Sequence, residues 1–398
     1  MISIRVGIII GLLNTFSACG HKPLRDFQCT NNLQTNNPGF AENAEFEALL
    51  DRGVAEGLPG VGLLVHDPQL GYWAGTRGMA DFASHTPLAP CNRFQVGSIT
   101  KTFTAAAIMR LVEQGRLGID DRLSARLPQG EWKNVENADE ATIGQLLNHT
   151  TGIFDFSEST DFKLTFLNDP RRAFTPHELV QFAAGQPALF AAGSAFSYSS
   201  TNYELLGLVV GAISGEDPTD FIAQQILAPL GLEHTTLASS AGQDPAGTVS
   251  CYSDFHGEGT LADVTDWWLL QLALSGGVIS TLPDLTSFLD HLLAGDLLSQ
   301  DSLAQMQAWH VFTSSEQQDW RKIKGGNTEL FDAYGLGLIH SAQFAMIGHS
   351  GDTFGSSARL YRFENSDRTV VMFSNARVDE PYLFGDLFGN AVKDGLFH

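Results

Sequence analysis

The feature that most constrains this chain is that its strand-like segments lie at its two ends. Near the amino end, "GVGLLVHD" (Gly60–Asp67) and "GYWAGTRGMAD" (Gly71–Asp81) are short β-rich runs joined by Pro68-Gln69-Leu70, a hairpin pattern. Near the carboxyl end, "FGSSARLYRF" and "RTVVMFSNAR" flank Glu364-Asn365-Ser366-Asp367, a second hairpin. An amphipathic run, "FEALLDRGVAEG" from Phe46 to Gly57, precedes the first pair, and "PYLFGDLFGNAVKDGLF" follows the second. The long stretch between them reads as mostly helical. Isolated hairpins are marginal in water, so the two ends must meet in one sheet. The pattern predicts an α+β fold: an antiparallel sheet built from both chain ends, covered by terminal helices, with an all-helical region inserted over roughly residues 115–300. No fixed-period repeat interrupts this organisation.

Composition supports a large buried core, with 43% hydrophobic and 17% charged residues in a 398-residue chain. The formal net charge of −22 repels phosphate backbones, so nucleic acid is not an expected partner. Residues 1–19, "MISIRVGIIIGLLNTFSAC", pair Arg5 with an apolar run from Val6 to Leu13 and small residues before Cys19, an export pattern. Phe-Ser-Ala-Cys resembles a bacterial lipobox, which makes Cys19 the expected lipid attachment point and places the protein in the periplasm or on a membrane as a lipoprotein. Residues 20–45, rich in Asn, Gln, Thr and Pro, read as a tether, followed by a catalytic domain over 46–398. Cys29, Cys91 and Cys251 allow one disulfide of undetermined pairing in an oxidising compartment. The chain has no Cys-x-x-Cys, His-Glu-x-x-His or calcium-loop spacing, so no metal and no cofactor are expected.

The chemistry concentrates in "RFQVGSITKTFTAA" (Arg93–Ala106), where Ser98 and Lys101 stand three residues apart at the start of a helix. Side chains at that spacing share a face. A serine hydroxyl needs a base to become a nucleophile, and a lysine serves when its surroundings favour the amine. Helix-start N–H groups can hold an oxyanion beside the serine. A bare Ser-x-x-Lys is common, and by itself reads more simply as a helix cap beside a surface lysine.

Two further elements follow in order: Tyr198-Ser199-Ser200 in "FSYSSTNYELLG", and His349-Ser350-Gly351 in "MIGHSGDTFG". Together with "LVEQGRLGIDDRLSARLP", "IGQLLNHTTGIFDF", "TNYELLGLVV" and "YGLGL", they make the chain from about Phe46 to its end resemble the serine β-lactamase-like hydrolases. That family includes class C β-lactamases, D-alanyl-D-alanine carboxypeptidases, D-amino-acid peptidases and some esterases. The resemblance implies a β-lactamase/transpeptidase-like fold with the site between two lobes. It casts Ser98 as acyl-accepting nucleophile, Lys101 as its proton partner, Tyr198 as a relay, and His349 as a replacement for the lysine of a Lys-Thr-Gly triplet. It also implies an oxyanion hole from the N–H groups of Ser98 and Asp352, with Gly351 admitting the substrate backbone and Ser200 and Ser350 lining the site. "GHSGD" approaches a nucleophile elbow at Ser350, but Asp352 stands where glycine is required and an extended segment follows.

Two departures bear on substrate. Ser200 stands where many members carry asparagine, which removes an amide donor. Asp352 adds an anion beside the triplet; facing the cleft it would repel substrate carboxylates, whereas strand alternation could turn it away. Asn148, His149, Asn202, Trp267 and Trp268 are accessory positions as readily explained by capping or packing. The expected function is a serine acyl-hydrolase acting on a small acyl, peptide or ester substrate, with a D-alanyl-D-alanine carboxypeptidase first, a carboxylesterase second and a penicillin-binding protein without turnover third. Oligomeric state is not encoded in any feature of the sequence.

Overall fold

A computed structural model describes residues 37–398, apart from 238–244, 255–256, 258, 268–273, 325–329 and 379–381, and gives only the backbone of 321–324. The export segment, Cys19, Cys29, most of the tether and Trp268 therefore lie outside the described residues. The terminal hairpins form as read: β1 (Gly60–Asp67) and β2 (Gly71–Asp81) turn where the Asp67 carboxylate accepts from the Gln69 and Leu70 N–H groups. With β3 (Thr86–Pro87), β4 (His310–Val311), β5 (Ala333–Tyr334), β6 (Ile339–Ser341), β7 (Met346–Asp352), β8 (Ser357–Phe363) and β9 (Arg368–Ser374), they make a nine-stranded sheet ordered β3-β2-β1-β9-β8-β7-β6-β5-β4. Every pairing in it is antiparallel. The junction of the chain's two ends is the β1–β9 pair, in register from Val61 opposite Ser374 to His66 opposite Thr369.

The central strands are apolar almost without a break because both faces are covered. Alternation splits them between two cores. Val61, Leu63 and Val65 of β1 and Val370 and Met372 of β9 join one cluster with Phe46, Leu49 and Leu50 of α1 (Asn43–Ala55). Leu64, Val371 and Phe373 join the other, with the residues of α2 (Thr100–Glu113). Asp290 ties the second layer to the sheet: from the helix Leu282–Ala294 it meets Arg362 of β8 at 2.6 Å, His66 of β1 at 2.5 Å, and Thr369 of β9.

Between β3 and β4 the chain is mainly helical, including α3 (Ser200–Ser214), which ends at Gly215 with φ 79° in the left-handed region. Short strands in this stretch join Phe94–Gln95 and Ala376–Arg377 in two small three-stranded sheets. Among the described residues, Cys91 is disulfide-bonded and Cys251 is a buried thiol. No helix among them is long and apolar enough to cross a membrane.

Candidate active site

Ser98 does not cap α2. It sits in a 3₁₀ turn, Gly97–Ile99, that runs directly into the helix. Lys101, in the first turn of α2, shares a face with Ser98 at this spacing, and its Nζ lies 3.2 Å from Ser98 Oγ. The turn is set by glycines on both sides. Gly97 has φ 53°, and a Cβ there would meet the Asp352 backbone nitrogen at 2.7 Å. A Cβ on Gly351 would meet the Val96 carbonyl at 1.9 Å and the Ser98 nitrogen at 2.8 Å. The room left by Gly351 is thus occupied by the Ser98 turn itself, and the turn packs directly against the backbone of Gly351 and Asp352.

α2 is fixed by hydroxyls as well as by its apolar face. In "TKTFT", the Thr100 Oγ1 accepts from the Val278 N–H, Thr102 donates to the Gly337 carbonyl at 2.8 Å, and Thr104 donates to the Leu274 carbonyl at 2.7 Å. The Leu274–Ser275 segment is therefore held against Lys101, whose ammonium end donates to the Ser275 carbonyl at 2.8 Å. Lys101 is 1% exposed and Tyr198 3%, while Ser98 is only partly buried. The serine is the member of the group that faces outward.

The Tyr198 ring stands 4.9 Å from Lys101 Nζ, with its phenol beside the Ser98 hydroxyl. Burial pushes the Tyr198 phenol well above its ordinary value, so it is a protonated group at neutral pH. Its orientation comes from His149, whose ring lies 4.2 Å away and whose Nδ1 accepts from the Ser199 N–H at 3.1 Å. His149 is held at φ 60° after the helix Ile143–Leu147, with Asn202 beside its Nδ1 and Thr151 donating to the Asn202 side-chain Oδ1. Both accessory positions thus pin the loop that carries the tyrosine.

Ser200 begins α3. Its N–H donates to Asp155 and its hydroxyl is 3.5 Å from Lys101 Nζ, at the limit of a hydrogen bond. The structure brings His349 to a tyrosine that sequence reasoning did not single out: Tyr334 meets His349 Nε2 at 2.9 Å. Since His349 Nδ1 lies 2.6 Å from the Ser350 carbonyl, which only accepts, Nδ1 carries the proton and Nε2 accepts from the Tyr334 phenol. Tyr334 packs edge-on against Tyr198 with ring centres 6.1 Å apart, and the neighbouring Tyr203 phenol donates to the Leu147 carbonyl at 2.7 Å. His349 thus joins the group through Tyr334. The signal was present in "DAYGLGL", where the tyrosine precedes the tight turn that reaches Thr102, but nothing in the sequence marks that turn as adjacent to Ser98.

The remaining triplet residues divide by strand alternation. Gly351 faces the Ser98 turn, whereas Ser350 and Asp352 share the side of their partner Arg359. The Ser350 hydroxyl neighbours the Tyr361 phenol. Asp352 pairs with Arg359 at 3.2 Å, and that guanidinium also donates to the Ala358 carbonyl at 2.8 Å. Its charge is compensated, and its direction resolves the alternative left open by the sequence. Trp267 packs against a separate phenylalanine cluster around Phe162 and Phe166.

A large antiparallel sheet joined from both chain ends, carrying a Ser-x-x-Lys turn against its third motif strand, defines the β-lactamase/transpeptidase-like fold of serine hydrolases. The chain belongs to the Beta-lactamase family, whose model matches residues 46–389. Penicillin-binding protein 4* of Bacillus subtilis (strain 168) is 26% identical over 320 residues, covering 77% of this chain and 65% of that protein. Protein flp of Staphylococcus aureus (strain MW2) is 30% identical over 196 residues, 48% of this chain and 38% of that one. The chain therefore spans less than two thirds of the length of these relatives. Among solved structures, a D-stereospecific amidohydrolase from Streptomyces sp. superposes with a TM-score of 0.74 at 27% identity, covering 87% of this chain and 98% of that one. The D-amino acid amidase from Ochrobactrum anthropi SV3 shares the fold, with a TM-score of 0.75 at 24% identity over 89% of this chain and 97% of that one.

Proposed function

We propose that the protein is a serine acyl-hydrolase that cleaves small amides or peptides through a Ser98 acyl-enzyme. The observation that carries this reading is the partly exposed Ser98 hydroxyl, 3.2 Å from the Lys101 amine and beside the buried Tyr198 phenol. Ser98 Oγ attacks the substrate carbonyl as Lys101, in its amine form, takes the hydroxyl proton. The carbonyl oxygen becomes an oxyanion between the N–H groups of Ser98 and Asp352. Because burial keeps Tyr198 protonated, its role is to hand a proton to the leaving amine and recover one through Lys101, rather than to act as a phenolate base. Water then repeats the sequence on the acyl-enzyme. His349 acts through Tyr334, fixing the wall on which Tyr198 packs.

The amide preference draws on the amidohydrolase that shares 27% identity, which suggests D-amino-acid amides and D-alanyl-D-alanine peptides as substrates. The Asp352–Arg359 pair removes the objection to substrates bearing a carboxylate. A carboxylesterase is the second reading, favoured by Ser200, whose hydroxyl turns toward Lys101 where an amide donor would serve a peptide carbonyl. The test is a panel of a D-Ala-D-Ala peptide, a D-amino-acid amide and p-nitrophenyl butyrate with native protein and Ser98→Ala. Amide or peptide turnover lost by a factor of about 10³ or more in Ser98→Ala is expected. Ester turnover alone would overturn the amidase reading, and an adduct that persists without product would make the protein an acylating binder. We further propose export as a lipoprotein through Cys19; a Cys19→Ser chain that still partitions with membranes would refute it.

A further inference from the structure

One buried ionisable group has no part in the scheme above. Glu204, on α3, is fully buried at 0% exposure, and the Ser275 hydroxyl donates to its Oε1 at 2.6 Å. The same Ser275 receives Lys101 through its carbonyl at 2.8 Å. The lysine that serves the nucleophile and a carboxyl group sealed in the core are thus bridged by the two ends of one residue. The other carboxylate oxygen of Glu204, Oε2, is buried without a hydrogen-bond partner among the described residues. An acid in such a place is costly to ionise unless a cation is close, and the charge that acts on it is Lys101.

We propose that Glu204 is a positioning residue that sets the protonation of Lys101 through Ser275, and with it the pH range in which Ser98 can be activated. The inference rests on the reading of Lys101 as the base of Ser98. Its logic is reciprocal: a Glu204 carboxylate favours the Lys101 ammonium, and a neutral Glu204 lets Lys101 release its proton. Burial holds the Glu204 carboxyl up at about 7, against the draw of Lys101, so its change of state falls at neutral pH. The other titratable groups around this centre do not compete for that role. Tyr203 on α3, Tyr198 before it and Tyr334 from β5 are phenols held protonated by burial. His149 serves Ser199, His349 serves Tyr334, Asp155 caps the start of α3, and Asp352 is paired with Arg359.

The experiment is the rate at which a fluorophosphonate labels Ser98, followed over a wide pH range in the full chain, for the native protein, Glu204→Gln and Ser275→Ala. Gln keeps the oxygen that accepts from Ser275 and removes the charge. Its acid limb is expected to move to lower pH by about one unit or more. Ser275→Ala leaves the carbonyl that holds Lys101 but deprives the carboxylate of its donor, so Glu204 stays neutral to higher pH and the limb moves in the same direction. A residue that only packed the core would change the rate without moving the limb. Profiles of both variants that superimpose on the native one would overturn the inference while leaving Ser98 chemistry intact. If Glu204→Gln does not accumulate folded, Ser275→Ala alone decides. Absence of Ser98 labelling in the native protein would instead remove the reading on which the inference stands.

Discussion

At Gly351 the requirement is spatial, since the strand bearing it lies against the turn bearing Ser98 with no room for one carbon atom. A Cβ there would come within 1.9 Å of the Val96 carbonyl, a backbone atom that cannot rotate aside. Gly351→Ala must push the Ser98 turn away from the Asp352 N–H. We expect a fall in turnover of about 10²-fold, because displacements near 1 Å have that effect on aligned groups. The accompanying loss of stability should be about 1–3 kcal/mol. Steady-state kinetics beside urea unfolding measures both, and full turnover in a stable Ala variant would show that the turn and strand are free to separate. The triplet made this glycine legible as special, but the atom that excludes a side chain comes from a residue more than 250 positions earlier.

At the scale of elements, α2 is held by three buried threonines as firmly as by its apolar face. Alternate threonines in "TKTFT" look like a poor helix start, because β-branched residues are stiff and their hydroxyls compete with the backbone. The structure directs those hydroxyls outward to Val278, Gly337 and Leu274, so the helix start locks the segment from Leu274 to Val278 and the Gly337 turn around Lys101. Thr104→Val keeps the shape but leaves the Leu274 carbonyl without its donor. The expected cost is about 1–3 kcal/mol in denaturant unfolding, and an unchanged midpoint would show that the bond is dispensable. The hairpins and terminal helices were legible because alternation and turn residues are local signals. The His149 loop was not, since its φ of 60° is imposed by Asn202 and Ser199 from another element.

For the whole molecule, stability against pH is set by opposing groups. Asp290 is held below the usual carboxylate range, against its burial, by hydrogen bonds from His66, Thr369 and Arg362, and Asp67 is lowered by Arg368 and the turn N–H groups. Their contribution is present above the ordinary carboxylate pKa and lost as pH falls through their depressed values. Glu204 has the opposite sign. Its folded pKa of about 7 exceeds the ordinary 4.5, so its contribution is complete below 4.5 and is lost as pH rises through about 7. Urea unfolding should therefore show this group's share of native stability declining as pH rises from about 4.5 to about 7 and level above that. In Glu204→Gln that decline should shrink by an amount on the order of 3 kcal/mol. Parallel curves for the two proteins would mean that the buried acid is compensated in the fold at every pH. By itself the sequence determined the strand pairs at both ends, the order of the three motifs and the family, because periodicity, turn chemistry and short motif spacing are written in neighbouring residues. Only the tertiary structure decided that Asp352 turns to Arg359, that His349 reaches Tyr334, and that Glu204 meets Lys101 across Ser275. The first two depend on the register between strands of one sheet, and the third joins residues far apart in the chain, none of which a local pattern encodes.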